Sequence, residues 1–576
     1  MTILSDSLKW GRKDVKLLET EDVQDTAGRG IPLTIKRAAA FFLALAVLFL
    51  LPACGGHRAK NADQTIHYSL GTEPATLDPQ IASDVSSLTA IRALYEGLAR
   101  VDAKGNAVPG AAESWEHNAD STEFTFHLRA GAKWAKPAGT KADYGAVTAQ
   151  DFVFAFRRAL DPKTGSSTCA QMYSIRNARK IRAGQLPADR LGVSAKDSRT
   201  LVVDLDDSSP DFPKQTAAAV FMPCNEKFFR QTAGRYGLES KYLLGNGPFR
   251  IDGAYGWTHG QSLNLVRSDT YAGNSKPLPA ALDFSIVGET ETPSDPISAL
   301  KNQSVDATPI SPSQIDSAKA IGCTLSSFED TTWGLCFNTQ SRIFKNVNIR
   351  RAFVQAFRRS AVLVHLPKGS SAAENILLPG TTLAGQNYRS LAGGPFYLKQ
   401  SAGAGESLAA GLRELGLEKM ESVTVLCPGD ANVRLMVTEM IASWNRQFNN
   451  YFNMEPMDSG DLQKSVQAGS YDIAVFSVKP SGDGPLAVLS QFTSGAGGNP
   501  ARLKDPAYDA LVASAQTKSG REAAAAYAAA EKRLNEQAVF YPLYYEKSYY
   551  ALAKGVSGIL FLPYQGGADF INAGKE

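Results

Sequence analysis

The sequence predicts a mixed α/β fold, and three observations support this prediction. Short segments with alternating apolar side chains predict strands, as in 123–128, where Phe124, Phe126 and Leu128 share one face. Other segments carry apolar side chains three and four residues apart and predict amphipathic helices. The chain of 576 residues, with 44% hydrophobic and 20% charged residues, is long enough for two or three globular domains.

The N-terminal segment 1–53 is predicted to be a leader that is removed. The cationic pair Lys36 and Arg37 precedes an uninterrupted apolar run over 38–50. A positive segment, a short apolar stretch and a small residue before the cut are typical of a secretory signal. About 14 apolar residues are too few to span a bilayer.

The end of this run, Leu51-Pro52-Ala53-Cys54, resembles a bacterial lipobox. The resemblance implies that Cys54 is lipidated, becomes the mature N-terminus and anchors the chain to a membrane. Segment 54–63 is short, polar and without periodicity, so we interpret it as a tether between the lipid and the folded body.

Charge and cysteine content exclude several classes of function. Sixty basic and 57 acidic residues give a net charge of +3, which is too small to predict a nucleic-acid surface. Apart from Cys54 the number of cysteines is odd, so at least one thiol stays unpaired: Cys169, Cys224, Cys323, Cys336 and Cys427. Cys323 could bridge to Cys336 on a neighbouring strand, and Cys169 lies in one region with Cys224. No spacing fits a zinc or redox dithiol site, and the histidines are dispersed, so neither a metal nor another cofactor is expected.

Three helices stand out in the pattern. Thr148 and Asp151 form a capping box that begins the first, and Asp161-Pro162 ends it. The second is predicted over 348–364, with its arginines on a solvated face. The third, over 521–538, is rich in alanine and therefore intrinsically helical.

A series of short motifs resembles, in order and spacing, the extracytoplasmic peptide-binding proteins of ABC importers. The similarity covers nearly all of the mature chain. The motifs are Leu77-Asp78-Pro79, Leu94-Tyr95-Glu96-Gly97-Leu98, Ala111-Ala112-Glu113-Ser114-Trp115, Gly245-Asn246-Gly247-Pro248-Phe249, Phe337-Asn338-Thr339 and Tyr508-Asp509-Ala510-Leu511.

Several of these motifs have structural interpretations that we prefer to catalytic ones. Gly245 and Gly247 resemble a phosphate loop only superficially, because no lysine and serine follow at the required offsets. A tight turn that needs a positive φ is the prediction there. Trp115 and Trp134 are predicted to pack in or around the core.

The resemblance implies a two-lobed fold of the type II periplasmic-binding-protein class, with an additional α+β subdomain in the first lobe. The lobes are joined by two strand crossings, and their closure would trap a ligand. The implied boundaries are 64–110, 225–325 and 546–576 for the first lobe, 111–224 for the extra subdomain, and 326–545 for the second lobe.

The resemblance also indicates where a ligand would lie. A peptide would bind extended between the lobes and pair its backbone with protein strands. Carry-over of the family pattern places an edge strand of the first lobe at Ser83, Asp84 and Val85, and an ordinary surface loop is the alternative. Trp333 is a weaker candidate for a side-chain pocket.

In the second lobe the strand that begins at 471 leads, in the family, to an aspartate that neutralises a peptide's α-amino group. Ser477 on this strand is a further candidate. In strict register Ser481 takes the aspartate's place and Val478 replaces the usual tryptophan, while Asp483 lies two residues on. Either Asp483 is the anchor, or the protein does not bind a free amino terminus and instead binds another solute or a blocked peptide.

The leading hypothesis is therefore a lipid-anchored receptor on the outer face of the cytoplasmic membrane, which delivers peptides to an ABC permease and acts as a monomer. A receptor for another solute, or a peptide-signal sensor, is the alternative within the fold. A secreted hydrolase is disfavoured, because neither a nucleophile elbow nor a zinc-protease helix occurs in the sequence.

Overall fold

The structure is a computed structural model that describes residues 64–287, 295–383, 385–396, 403–480, 482–518, 520–563 and 566–576. The predicted leader, Cys54, the tether and Ser481 lie outside these residues. Within the described ranges, no helix combines the length and the apolar character that a membrane crossing requires.

The larger sheet contains twelve strands among the described residues. Ten of them are hydrogen-bonded neighbours in the order Asn453–Met457, Thr424–Pro428, Ile473–Val478, Thr324–Phe337, Phe540–Leu552, Ala307–Ile310, Thr65–Gly71, Ala281–Ile286, Ser262–Arg267 and Phe249–Ile251. The first three are mutually parallel, as are Ala307–Ile310, Thr65–Gly71 and Ala281–Ile286. Two short strands, Ser371–Ala372 and Trp257–Thr258, add to this sheet.

Two long strands, Thr324–Phe337 and Phe540–Leu552, are antiparallel neighbours in the middle of this sheet. The first pairs with Ile473–Val478 through residues 332–337. The second pairs with Ala307–Ile310 through residues 549–552, at its other end. Each end of the pair is thus built into a different group of parallel strands, and the two long strands connect the two lobes of the protein.

A separate antiparallel sheet and the helices complete the two lobes. This sheet has the order Ala112–His117, Glu123–Leu128, Thr200–Asp204 and Val193–Ala195. Small two-stranded sheets pair Ala99–Val101 with Ala107–Pro109, Thr382–Leu383 with Gln386–Asn387, Val556–Ser557 with Gly574–Lys575, and Leu560–Phe561 with Ala568–Asp569. The α-helices are Val85–Leu94, Ala149–Leu160, Ala178–Arg182, Phe212–Gln215, Glu226–Gln231, Pro296–Lys301, Ile315–Ala320, Val347–Gln355, Arg359–Leu363, Tyr388–Ala392, Ala404–Leu415, Ala431–Phe448, Ser459–Ala468, Leu486–Leu489, Pro506–Gln516 and Gly520–Glu536.

The buried side chains form different cores in the two lobes. Lobe I has one large core, which extends from Ile66 through Ile286 and includes the C-terminal residues up to Ala573. Lobe II has a core on each face of its part of the sheet, because alternate residues of the long strands, such as Leu335 and Cys336, point to opposite faces. The fold is therefore a two-lobed α/β fold, while the residue-by-residue lobe boundaries given above stay a prediction.

The three predicted helices have different outcomes. Helix Ala149–Leu160 begins with the predicted capping box, in which the Thr148 N–H donates to the Asp151 carboxylate at 2.8 Å, and it ends before Asp161. Helix Gly520–Glu536 is also confirmed. The predicted helix over 348–364 is instead two helices, which are separated at residues 356–358.

The solvated arginine face predicted for that segment was wrong for Arg350 and Arg359, whereas Arg358 is exposed as predicted. Arg350 is buried, and its guanidinium donates to the carbonyl oxygens of Phe344 at 2.5 Å and Gln537 at 2.9 Å. Burial lowers the pKa of Arg350 to about 10. Arg359 likewise donates to the Pro542 carbonyl at 2.6 Å. These guanidiniums hydrogen-bond backbone carbonyls at and just before the start of the second long strand, which a helical periodicity cannot reveal.

The disulfide pairings considered above were also wrong, since all five cysteines in the described residues are free thiols. Cys323 lies just before strand Thr324–Phe337 and Cys336 lies near its end. At about 3.3 Å per residue the two are separated by roughly 40 Å. A disulfide requires Cα atoms within about 7 Å. Cys169 and Cys224 are both buried in the core of lobe I.

The structural interpretation of the Gly245 and Gly247 segment is confirmed, but its predicted cause was wrong. Neither Gly245 nor Gly247 has a positive φ. A Cβ on Gly245 would instead lie 2.1 Å from the Leu94 carbonyl oxygen, and one on Gly247 would lie 2.5 Å from the Leu94 carbonyl carbon. Asn246 between them pairs with the backbone of Glu96. The glycines therefore permit close backbone contact.

Candidate functional site

In both lobes the carboxyl ends of the parallel strands face the middle part of the two long strands. In lobe II the strand end Val478 pairs with Thr332, and in lobe I the strand end Ile310 pairs with Tyr549. Both partners lie near the middle of the long strands. Ligands of open α/β sheets bind outside the carboxyl ends of the strands, so this level of the sheet is the candidate site.

Asp330 occupies the middle of the first long strand and is buried. The strand register shifts between Glu329 and Thr331, so Asp330 is the extra residue of a β-bulge. Its Oδ2 accepts hydrogen bonds from the Ser548 hydroxyl at 2.8 Å, in the lobe I half, and from the Lys479 ammonium at 3.2 Å, in lobe II. A single carboxylate thus links both long strands and the lobe II residue Lys479 at an irregular point of the connection.

Two predicted site residues are brought together on the lobe II side of this bulge. Trp333 and Ser477 are direct cross-strand neighbours. The Trp333 indole N–H donates to Glu546 Oε2 at 2.6 Å, and its ring stacks on Tyr544 with centroids 6.0 Å apart and an 11° interplanar angle. The result is a partly exposed indole, backed by the buried Tyr544 ring and lying beside the exposed Glu546 carboxylate. The indole can stack against a flat or apolar group, and the carboxylate can accept N–H hydrogen bonds.

The third predicted residue of lobe II, Asp483, is already paired. Its carboxylate forms an ion pair with the Lys214 ammonium, which comes from the short helix Phe212–Gln215. The Thr382 hydroxyl donates to the same Oδ2 atom at 3.1 Å. A carboxylate with these two donors is not the unpaired anchor that a free peptide amino group would require.

The predicted edge strand at Ser83, Asp84 and Val85 was wrong. Asp84 caps helix Val85–Leu94, and its carboxylate accepts the Ser87 N–H at 2.8 Å. A side chain that satisfies a free amide of the first turn stabilises a helix start rather than a strand.

The position of this segment still agrees with the candidate site. The Ser86 hydroxyl donates to the Leu70 carbonyl oxygen at 2.9 Å, so the helix begins beside the carboxyl end of strand Thr65–Gly71. Ser83 and Val85 are exposed there.

A second concave surface lies elsewhere in lobe II. A surface hollow of about 700 Å³, lined by Asn338, Thr424, Tyr471 and Arg502 among others, lies at the amino ends of the lobe II strands, away from Asp330. Among the described residues no group of three histidine, cysteine, aspartate or glutamate side chains is arranged to hold a metal ion.

Two lobes that share a pair of long strands, with their parallel strands ending at a common level, define the class of two-lobed solute-binding proteins. Residues 106–500 match the model of the bacterial extracellular solute-binding proteins, family 5 (middle part). The chain belongs to this family, whose members bind solutes and are not enzymes.

Three relatives illustrate the similarity. The chain is 25% identical over 557 residues to the oligopeptide-binding protein OppA of Bacillus subtilis. This alignment covers 93% of this chain and 99% of that protein. It is 24% identical over 499 residues to the Escherichia coli protein named "Probable deoxycholate-binding periplasmic protein YgiS", with 84% and 88% covered. The solved structure of the Escherichia coli murein tripeptide binding protein MppA matches with a TM-score of 0.67 and 26% identity, covering 89% of this chain and 98% of that one.

Sequence reasoning missed four residues of the site: Lys214, Asp330, Thr382 and Glu546. Lys214 and Thr382 carry no motif and become relevant only because the fold places them beside Asp483. Glu546 offered a weak signal, since it directly follows the aromatic segment 540–545 in the sequence.

Proposed function

We propose that this chain is a lipid-anchored substrate-binding protein of an ABC importer, which captures peptides outside the cell between its two lobes and delivers them to a permease. Cys54 would carry the lipid, and the folded body would act as a monomer. Closure of the lobes would surround the ligand and exclude water from its hydrogen bonds.

One observation carries this proposal. The carboxyl ends of the strands in both lobes meet at the bulge around Asp330, in a chain whose relatives include named oligopeptide- and murein-tripeptide-binding proteins. The Trp333 ring, which the buried Tyr544 supports from behind, supplies apolar area at this point, and Glu546 supplies a hydrogen-bond acceptor. The rim of the candidate ligand site would include the other predicted residues: Ser83, Asp84, Val85 and Ser477.

The test is to incubate the purified chain from residue 55 onward with a defined mixture of tri- to hexapeptides, and to identify the retained peptides by mass spectrometry after gel filtration. Recovery of intact peptides supports the proposal. Recovery of cleaved peptides would indicate a hydrolase, and recovery of none would contradict peptide binding. A heat-unfolded sample of the same protein is the control for non-specific retention.

A second candidate function is binding of a non-peptide solute with the same fold. The paired state of Asp483 and the relative named for deoxycholate favour it. Mass spectrometry of whatever co-purifies with the chain distinguishes the two: a steroid-like or other non-peptide molecule supports the second candidate, and peptides support the first.

A further inference from the structure

The ion pair between Lys214 and Asp483 joins the two lobes. Lys214 follows Phe212 and Pro213, which are buried in lobe I, so its backbone is firmly held. Asp483 follows the carboxyl end of lobe II strand Ile473–Val478. The Lys214 and Asp483 side chains are 16% and 32% exposed, so the pair is partly shielded from water. Partial shielding strengthens such a pair compared with a surface salt bridge.

The neighbourhood of Lys214 accommodates its side chain. Gly105 in the turn between Ala99–Val101 and Ala107–Pro109 has a φ of +81°, and a Cβ placed on it would lie 3.8 Å from the Lys214 ammonium. The lysine therefore extends over an open glycine turn towards lobe II.

One further contact joins lobe I with lobe II. Arg179 donates to Gln516 Oε1 at 3.2 Å. Because this contact and the ion pair connect lobe I with lobe II, they are present when the lobes are together, which is the state that encloses a ligand.

The pairing changes what the Asp483 end of the site can recognise. The carboxylate and the ammonium together carry no net charge, so a ligand ammonium would gain little attraction there. It would also approach the like charge of Lys214, and displacing Lys214 would cost the ion pair and the burial of both side chains. A ligand end without charge meets neither cost.

We propose that Lys214 is a specificity-determining residue, which neutralises Asp483 across the lobes so that the site accepts peptides whose amino end is uncharged. This inference rests on the proposed peptide-binding function. Acetylated, formylated or cyclised amino ends, or the interior of a longer chain, are the ligand class it names.

The experiment uses an equimolar mixture of tri- to hexapeptides, each present with a free and with an N-acetylated amino terminus. The retained fraction is measured by mass spectrometry for the wild type, Lys214→Gln and the control Lys163→Gln, an exposed lysine of the same lobe. The wild type and the control should retain acetylated peptides at least as well as free ones. In Lys214→Gln the ratio of retained free to retained acetylated peptides should rise at least tenfold, because the Asp483 carboxylate becomes available to a peptide ammonium.

The double variant Lys214→Gln with Asp483→Asn should return the ratio to the wild-type value, because the freed carboxylate is then gone. Thermal unfolding midpoints identify any variant that fails to fold. If Lys214→Gln fails to fold, the ratio of acetylated to free peptides that the wild type retains decides the test. A tenfold preference of the wild type for free peptides, or an unchanged ratio in folded Lys214→Gln, overturns the inference while peptide binding stands. Retention of neither series overturns the proposed function and this inference with it.

Discussion

The Arg158 guanidinium donates two hydrogen bonds to the carboxylate of Asp78, at 2.7 and 2.5 Å, although the two residues are 80 positions apart. Their side chains are only 8% and 5% exposed, and the guanidinium also lies 4.5 Å from the centroid of the Phe229 ring. The pair fastens helix Ala149–Leu160 to the segment that follows the first strand of lobe I.

Replacing one member of this pair should be more damaging than replacing both. Arg158→Met leaves a buried, uncompensated carboxylate and should lower the free energy of unfolding by about 3–5 kcal/mol. The double variant Arg158→Met with Asp78→Asn should recover part of this loss, whereas the exposed control Arg190→Met should have little effect. Urea unfolding followed by circular dichroism measures all three, and equal stability of Arg158→Met and wild type would contradict the prediction.

Close backbone contact at Gly245 should make that position intolerant of any side chain. In Gly245→Ala the Cβ would lie 2.1 Å from the Leu94 carbonyl oxygen, so the backbone must move. We expect a loss of more than about 3 kcal/mol of unfolding free energy, at the upper end of single-residue effects. Gly405→Ala is the matched control: it lies within helix Ala404–Leu415 with open space around it, and should gain about 0.5–1 kcal/mol.

Asp151 should make stability depend on pH in a specific direction. Burial raises its pKa from 3.8 to about 6, although hydrogen bonds from Thr148 oppose the shift. The folded chain therefore binds this proton more tightly than the unfolded chain. Protonated Asp151 therefore contributes to the free energy of unfolding below pH 4, and this contribution is lost as the pH rises through 6. Between pH 4 and 7, the unfolding free energy of the wild type should fall relative to Asp151→Asn by up to about 3 kcal/mol. Parallel urea titrations of the two proteins at both pH values would refute this if their difference stayed constant.

The aromatic surface at the strand ends should contribute to ligand binding. Trp333→Ala removes both the stacking partner of Tyr544 and the hydrogen bond to Glu546, and should weaken binding of a retained peptide at least tenfold by calorimetry. Trp115→Ala is the control, since this half-buried tryptophan packs against Phe126 in the separate sheet of lobe I. It should lower stability without changing affinity. An equal loss of affinity in both variants would argue against a site at Trp333.

The proposed lipid anchor on Cys54 has a direct test. Cys54→Ala should release the protein from the membrane fraction of an expressing bacterium and abolish labelling by a radioactive fatty acid. Cys323→Ala, which alters a partly exposed thiol in the folded body, should leave both unchanged. Retained labelling in Cys54→Ala would place the lipid elsewhere or disprove it.

Local features of the sequence predicted much of the fold. The capping box at Thr148 and Asp151, the alternation over 123–128 and the alanine-rich helix are encoded within one or two turns, so short-range periodicity and capping chemistry suffice to recognise them. The two-lobed fold was predicted from the series of short motifs, because their resemblance to the peptide-binding proteins of ABC importers covers nearly all of the mature chain.

Only the tertiary structure decided what depends on contacts between distant segments. It buried Arg158 and Arg350, separated Cys323 from Cys336, turned the predicted edge strand at Asp84 into a helix cap, and paired Asp483 with Lys214. Ion pairs of this kind depend on where two lobes place single charged side chains, and a lone lysine looks the same in the sequence whether it faces solvent or a carboxylate. The sequence alone therefore determined the class of fold, and the packing of the lobes decided the charge that a ligand would meet.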